Sequence, residues 1–513
     1  MVDNFHLLTN PLCIFLDKER EDFTREDLLK VIKEKQIERI TFHYTALDGK
    51  LKELKIPISS RFDAEIVLTE GERADGSSLF KGLIDTALSD LYIVPVYKSA
   101  FLNPFNHGSL DFVCRYITVD GKLADFTPDN ILLKAQQLLK KNSDLDLYAL
   151  GELEFYLFYN PEYDMYITEP QSGYHNSAPF SKVGRILAEM VRLIAQITGS
   201  VKYAHCEVGF INKIKSPLQE LNGKTGEQLE IEFLPTPIDE SADNIVIAKW
   251  LIRNIAYRNG MLATFAPKLE ESSAGNGLHI HLRLCKNKQN VLVNDSGQLS
   301  KEAHKLIGGL CKYASSLPAF GNTVAASYRR LVPNQEAPTK ICWSDSNRSA
   351  MIRVPLGWTK VKNLATIINP DKITEFHKIP KMQTIEFRTA DGSANTHLLL
   401  AGLAMAIEWG VSNEESLQLA DKLYVKGNIA KNRTLWNSLE SLPENCYHSA
   451  KILSQVRELY QRENIFPESI IEYQMNLLRN ENDRYLFNRL SKLKGKEREA
   501  FLLKIMHRDI HRH

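Results

Sequence analysis

The sequence holds no run of about 18 apolar residues, so no membrane span is expected. Met1 to Arg20 lack a basic stretch leading into an apolar core, which argues against a secretory signal. Cysteine is sparse and scattered. The seven, Cys13, Cys114, Cys206, Cys285, Cys311, Cys342 and Cys446, are odd in number and form no C-x-x-C pair. That disfavours both a disulfide framework and a structural zinc site, and makes a reducing cytoplasm the expected compartment. An excess of one charge sign is missing too: 64 Lys+Arg against 63 Asp+Glu leave a formal net charge of +1. A nucleic-acid binder acting through bulk basicity does not fit this balance, and neither does an acidic disordered tail. Low-complexity linkers, internal repeats and long charge blocks are also absent.

Familiar nucleotide and nucleophile motifs are missing as well. The tripeptide Gly223-Lys224-Thr225 has Leu218 where a P-loop needs its first glycine, and no G-x-G-x-x-G follows a strand. No G-x-S-x-G elbow occurs. A nucleotide would therefore have to be held by metals, arginines and pocket shape.

What remains is a globular composition, 43% hydrophobic and 25% charged over 513 residues. Strand-like runs fill the first part: Arg39–Tyr44, Leu51–Ile58, Leu91–Val96 and Phe112–Ile117, behind one helix near Arg25–Lys35. Thr127-Pro128-Asp129 reads as a helix start, with Thr127 as cap, and marks a boundary between residues 1–126 and 127–513. Beyond it strands and helices mix. Helices are expected near Ser181–Thr198, Asp239–Arg258, 300–316, 395–409 and 448–463. The polar C-terminal stretch, about 445–513, reads as a solvated helical extension.

Four short segments share one design, with coordinating side chains at i and i+2 and apolar residues between. They are Glu152-Leu153-Glu154, Glu230-Ile231-Glu232, His279-Ile280-His281 and Glu386-Phe387-Arg388. Along a strand such pairs share one face. His205-Cys206-Glu207 fits more loosely, and Cys206 should point away from the Glu207 face. If the segments pair into one sheet, their polar faces collect several carboxylates and imidazoles on one side. Such a cluster repels itself unless cations neutralise it, and carboxylate-rich ligands favour Mg²⁺ or Mn²⁺. Arg329, Arg330, Arg348, Arg353, Lys381 and Arg388, in the same half of the chain, suit phosphate or carboxylate oxygens.

These residues, in this order, resemble the glutamine synthetase family over about residues 35–480. The carriers are Asp75-Gly76-Ser77-Ser78, Gly151–Phe155, Ser327–Pro333 followed by Glu336-Ala337-Pro338, and Asn347–Ala350 with Arg353 and Pro355. The resemblance implies an α+β fold: a small N-terminal β-grasp-like domain, then a large catalytic domain whose curved antiparallel β-sheet funnel is covered by helices. It implies two or more Mg²⁺ or Mn²⁺ ions per active site, with ATP as co-substrate. One ion would be held by Glu154, Glu207 and Glu230, the other by Glu152, His279 and Glu386. Glutamate would be held by Arg330, Arg388 and the backbone at Gly275. ATP phosphates would meet Arg348, Arg353, His281 and Lys381. Glu336 would close the site on a flap. Ammonium would bind Tyr174, Glu207 and Glu336, completed by Asp75 and Ser78 of a neighbouring subunit, with Asp75, Glu336 and Arg348 as the catalytic groups. Shared sites imply homo-oligomeric rings, a dodecamer being the family's form, with no nucleic-acid or membrane partner.

The activity so implied is ATP-dependent ligation of ammonia to glutamate through a γ-glutamyl phosphate. The alternative is a relative that joins glutamate to a polyamine or alkylamine. A third reading is a non-catalytic scaffold, which would have no reason to keep two metal sites. The chain also departs from the family pattern. Ala274 stands where Asn is usual, Thr384 where an arginine usually meets nucleotide phosphate, and Asn395-Thr396-His397 replaces Asn-Pro-Tyr. Tyr424 resembles the residue adenylylated in some members, but Val425-Lys426 breaks that motif.

Overall fold

The fold is taken from a computed structural model that describes residues 8–84, 89–161, 165–332, 337–357, 364–370, 382–427, 429 and 432–512. Near the N-terminus, Thr24 and Asp27 exchange hydrogen bonds in a capping box that starts the helix Arg25–Glu34. Strands β1 (Arg39–Thr45), β2 (Leu51–Pro57), β3 (Glu72–Asp75), β4 (Asp90–Pro95), β5 (Phe101–Leu102) and β6 (Ser109–Thr118) then form one sheet. Its order is β2-β1-β6-β4-β3, with β5 on β6; β1 and β6 run parallel and the other pairs antiparallel. β1 is buried almost throughout. β2 alternates and carries Lys52 and Lys55 on the sheet edge, where charge discourages pairing with another chain.

The second sheet contains β7 (Asp146–Tyr159), β8 (Val201–Ile211), β9 (Thr225–Phe233), β10 (Thr236–Pro237), β11 (Leu262–Thr264), β12 (Leu278–Lys286), β13 (Gln289–Asn290), β14 (Trp343–Asp345), β15 (Ile352–Val354) and β16 (Ile385–Phe387). Its spine is β14-β15-β16-β12-β7-β9-β8. All pairs are antiparallel except β14 with β15, so the expected antiparallel sheet carries one parallel pair at its edge. Leu153, Phe155, Ile231, Leu278 and Ile280 are fully buried on the strands and join one core with the covering helices.

Helices Pro128–Ser143, Gly184–Thr198, Ile238–Arg258 and Thr396–Ser412 supply that cover. The last is buried from Thr396 to Gly410, as expected of a helix apolar on every side. At 17 residues it still falls short of a membrane span, and no helix of the described residues is long and apolar enough to be one. Helix Pro128–Ser143 starts where its sequence indicated. Thr127, however, does not cap it: the Thr127 hydroxyl donates back to the Ala124 carbonyl at 3.0 Å. The first sheet is tied to the covering helices through Arg115 of β6, whose guanidinium donates at 2.6 Å to Asp243 of helix Ile238–Arg258. Asp243 also accepts from His397 at 3.0 Å.

The C-terminal stretch is not the solvated extension its polarity implied. Helix Gly495–His507 buries Leu502 and Met506, and Ile510 sits at 1% exposure with Tyr156, Phe158, Ile211 and Leu269. Leu502, Met506 and Ile510 recur every four residues, a narrow apolar stripe diluted by charge. Polar contacts pin the same tail. His507 donates to the Leu269 carbonyl at 2.8 Å, and Arg498 donates both Nη groups to Glu271, at 2.6 and 2.9 Å.

Candidate active site

Strand register builds the site. β7 is central, with β12 on one side and β9 on the other. Glu152 stands opposite both His279 and Glu232, Glu154 opposite Glu230, and Glu230 opposite His205. His281 is opposite Glu386, which is opposite Arg353. Directly paired residues share a face, and period-two alternation puts every i, i+2 partner there as well. The sheet therefore gathers Glu152, Glu154, Glu230, Glu232, His279, His281 and Glu386 on one side, with Leu153, Ile231, Leu278 and Ile280 in the core behind.

The polar face lines a cavity of about 480 Å³. Glu152, Glu154, Glu207, Glu230 and His279 line it together with Arg330, Arg348, Arg353 and Arg388. A larger cavity of about 640 Å³ opens beside Tyr159, Tyr166 and Phe180, but it is mainly apolar and has no such set of charges. Three groups place ligating atoms within 4.8 Å of one another: Glu152, His279 and Glu386; Glu154, Glu230 and His279; and His205, Glu207 and Glu230. Glu207 thus groups with His205 and Glu230, and its charge also acts on Glu154. His205 was not among the sequence-derived ligands. Its Nε2 lies 3.2 Å from Glu230 and its Nδ1 3.7 Å from Glu207.

Electrostatics divide the carboxylates. Burial, reinforced by the Glu207 carboxylate, pushes Glu154 up to about 7. Burial and the neighbouring Glu152, Glu154 and Glu207 drive Glu230 well above the usual carboxylate range. Glu152 is buried too, but the charges and hydrogen bonds of His281 and His279 hold it well below that range. Both imidazoles approach it at 2.8 Å. Glu386 is likewise lowered: burial opposes its charge, and Arg388 outweighs burial. Each Glu386 oxygen accepts from a guanidinium, Oε2 from Arg353 at 2.6 Å and Oε1 from Arg388. His279 is pulled down by burial and by Arg388. It donates Nδ1–H to Glu152, and Arg330 Nη2 lies 3.4 Å from its Nε2, an arrangement that suits the neutral ring.

Close packing fixes the arrangement. A side chain at Gly277 would place its Cβ 2.8 Å from Arg330 Nη2 and 3.0 Å from Glu154 Oε1, so only glycine lets these groups meet. Gln228, a neutral residue the sequence did not single out, ties two parts of the site together. Its amide donates to Glu154 at 3.0 Å and to the Gly275 carbonyl at 3.1 Å. Thr384 lies 2.8 Å from His281 Nδ1 and so orients that ring. His281 itself is buried between Thr384 and Glu152.

The other expected residues are distributed as follows. Tyr174 and Gly275 line the cavity; Tyr174 is exposed and stacks on His175 with ring centres 4.2 Å apart. Asp75 and Ser78 are exposed on the N-terminal domain and do not line their own chain's cavity. Hydrogen bonds from Ser77 and Ser78 lower Asp75 to about 2. Glu336 and Lys381 fall outside the described residues. Cys206 is buried, which raises its thiol pKa.

Similarity searches agree with one another. The family model for glutamine synthetase, catalytic domain, matches residues 125–493, and that for glutamine synthetase, beta-Grasp domain, matches residues 36–119. Glutamine synthetase of Frankia alni is 31% identical over 428 residues, 76% of this chain and 82% of that protein. Among solved structures, the cryo-electron-microscopy structure of Plasmodium falciparum glutamine synthetase superposes with a TM-score of 0.71 at 22% identity, covering 91% of this chain and 97% of that one. An unliganded GmaS chain gives a TM-score of 0.70 at 21% identity, over 93% of this chain and 99% of that one. With both family domains matched and a sheet face of carboxylates lining one cavity with four arginines, this chain belongs to the glutamine synthetase family of ATP-dependent carboxylate–amine ligases.

Proposed function

We propose that the chain joins ammonia to the γ-carboxylate of L-glutamate, using ATP and passing through γ-glutamyl phosphate, with glutamine, ADP and phosphate as products. The observation that carries this reading is that four glutamates, His279 and four arginines line one cavity. The donor set fits Mg²⁺ or Mn²⁺. Oxygen donors predominate, and Glu154 and Glu230, raised by burial and by neighbouring carboxylates, stand where a cation would relieve like-charge repulsion. Glu154, Glu207 and Glu230, with His205 beside them, would hold one ion and Glu152, His279 and Glu386 another. Such ions supply charge neutralisation for phosphoryl transfer.

The chain's own residues account for the rest. Oxide is a poor leaving group, so the γ-carboxylate must be phosphorylated before an amine can displace it. That step brings two anions together. Arg348 and Arg353, with His281 and Lys381, offset their repulsion at the phosphates. Arg330 and Arg388 orient glutamate beside the Gly275 backbone. Glu336 closes the site against water, which would hydrolyse the acyl phosphate. Asp75, with Ser78 beside it, would be supplied by a neighbouring copy; its exposure on the N-terminal domain supports that reading. With a pKa near 2 Asp75 stays ionised and attracts ammonium throughout the working range. A ring of subunits, expected to be a dodecamer, follows from that sharing. An active monomer on gel filtration would contradict it.

The test is the purified protein with Mg²⁺, ATP and glutamate, with and without ammonium. Ammonium-dependent glutamine formation is expected. Phosphate release indifferent to ammonium, with no glutamine formed, refutes the reading. One observation favours a second acceptor, an organic amine. Tyr174, Tyr203 and His205 set aromatic faces beside Glu207 and Glu230, with His205 ring centres 5.5 Å from Tyr174 and 5.8 Å from Tyr203. Such a wall suits an alkylammonium as well as ammonium. A panel of amines decides the order; higher kcat/KM for any of them than for ammonium would reverse it.

A further inference from the structure

Away from the active site, at the seam of the two domains and the C-terminal tail, lies a cavity of about 210 Å³. Three cations meet there. Lys50 comes from the hairpin between β1 and β2, Lys249 and Arg253 from successive turns of helix Ile238–Arg258, and the tail's His511 completes the rim. No carboxylate among the described residues pairs with any of the three cations. Lys249, at 6% exposure, donates to the Gly392 carbonyl at 2.9 Å, and Lys50 donates to the His511 carbonyl at 2.8 Å. The Arg253 guanidinium makes no hydrogen bond among the described residues. It lies over the Phe265 ring, 4.8 Å from the centre, and its Nη2 is buried without a partner. Two carboxylates act from farther off, but both are engaged. Asp48 pairs with Lys52 at 2.7 Å, and Asp391 accepts from Asn322 at 2.7 Å.

Placing like charges together in a mostly buried pocket is unfavourable without a counter-ion. The strain shows in the groups themselves. Burial and Arg253 bring Lys249 down to about 7, and burial alone brings Arg253 to about 10. Most buried cations find a carboxylate; these have carbonyls, a ring, or nothing.

We infer that the cleft formed by Lys50, Lys249 and Arg253 is a binding site for a small phosphate-class oxyanion, separate from the catalytic cavity. The arginine fork and two ammonium groups match tetrahedral oxygens carrying two charges. The volume admits such an ion but falls short of the roughly 300–1,000 Å³ typical of larger ligands. An anion held here would join the N-terminal domain, the catalytic domain's helix and the tail. Occupancy would then stabilise their contact.

Phosphate titration of the full-length protein by calorimetry tests this. The active site also has phosphate contacts, so Arg348→Ala serves as the background in which the new site is read. Bound phosphate and a raised melting temperature are expected there. Adding Arg253→Gln should weaken the binding about tenfold, the usual scale for losing one charged contact. Lys50→Gln, on the hairpin and away from the helix packing, should weaken it similarly, and either change made alone should leave ligase activity in phosphate-free buffer unaltered. Sulfate should compete with phosphate and succinate should not. Phosphate affinity unchanged by both substitutions, no binding at all, or a preference for succinate overturns the inference.

Discussion

Replacing Gln228 with leucine removes the link between a carboxylate of the metal-binding face and the loop that carries Gly275, while keeping the volume of the side chain. Gln228 is 1% exposed. Its amide donates to Glu154 and to the Gly275 carbonyl, and its Oε1 accepts from Gly209 N at 3.1 Å. Leucine leaves the Gly209 N–H and the Gly275 carbonyl without these partners, at about 1–3 kcal/mol for each buried group left unsatisfied. Glu154 keeps its bond from Gly277 N, at 2.9 Å, but loses the second donor that fixes its rotamer. Removing a group that orients a metal ligand typically weakens the metal by about 10–100-fold. The expected outcome is therefore a Mn²⁺ affinity lowered by about 10–100-fold in calorimetry of metal-stripped protein. The KM for glutamate should rise through the loosened Gly275 loop, and kcat at saturating metal should change less. Gln228→Glu separates orientation from packing. It keeps an acceptor for Gly209 N but turns the donor facing Glu154 into a like charge, so it should bind Mn²⁺ differently from leucine while folding as well. A Gln228→Leu protein with wild-type Mn²⁺ affinity and wild-type glutamate KM refutes this role for the amide.

Three further outcomes follow from the same geometry. Glu386→Ala strands Arg353 and Arg388 beside each other, so urea unfolding should show a loss of about 3–5 kcal/mol, as when one partner of a buried pair is removed. Asp243 is opposed by burial yet held at about 2 by Arg115 and His397, below its ordinary 3.8. Its contribution, about 2 kcal/mol, is present above pH 4 and lost as pH falls toward 2, so Asp243→Asn should lower stability at pH 7 and flatten the acid limb of a melting-temperature profile. Ile510→Ala should cost about 2–5 kcal/mol as a buried truncation. It should also raise the glutamate KM, because the tail braces Leu269 and Glu271 of the loop that leads to Gly275.

Much of the site was legible because strand geometry has only one period. Once Glu152-x-Glu154, Glu230-x-Glu232 and His279-x-His281 are strands with a buried apolar face, their polar atoms have one common side to occupy. Register is another matter. Nothing local says that His281 lies opposite Glu386, so its burial between Thr384 and Glu152 could not be read ahead. Gln228 was not singled out because one neutral amide carries no signal, and His205, although part of the looser His205-Cys206-Glu207 alternation, was not assigned as a ligand. Their roles exist only once β9 is laid between β7 and β8. The tail failed for a different reason. Charged residues are interleaved all along it, but Leu502, Met506 and Ile510 are spaced to bury a narrow stripe, and average polarity conceals a stripe of that width.

The two candidate metal groups differ in how much counter-charge the protein already supplies, and this sets an order between them under the proposed function. Glu386 has both oxygens occupied by Arg353 and Arg388, and Glu152 has both imidazoles. That group is close to neutral as folded, so a cation must compete with guanidinium hydrogen bonds to enter it. Among the described residues no guanidinium hydrogen-bonds Glu154 or Glu230, and Glu230 has only the His205 ring, at 3.2 Å; burial and the neighbouring carboxylates raise the pKa of both. Cation binding there relieves repulsion instead of displacing an ion pair, so the Glu154–Glu230 side is the higher-affinity one. The weaker group gains affinity only when something draws its arginines away. Arg353 is built for that exchange. Its Nη1 holds Glu386, its buried Nε has no partner among the described residues, and the side chain borders the cavity. A triphosphate arriving in the cavity offers this guanidinium a richer set of oxygens than Glu386 does, and each guanidinium donor that shifts to phosphate frees carboxylate for the second cation. On this reasoning nucleotide and the weaker cation assist one another's binding. The coupling is reciprocal because both act on the same fork of donors.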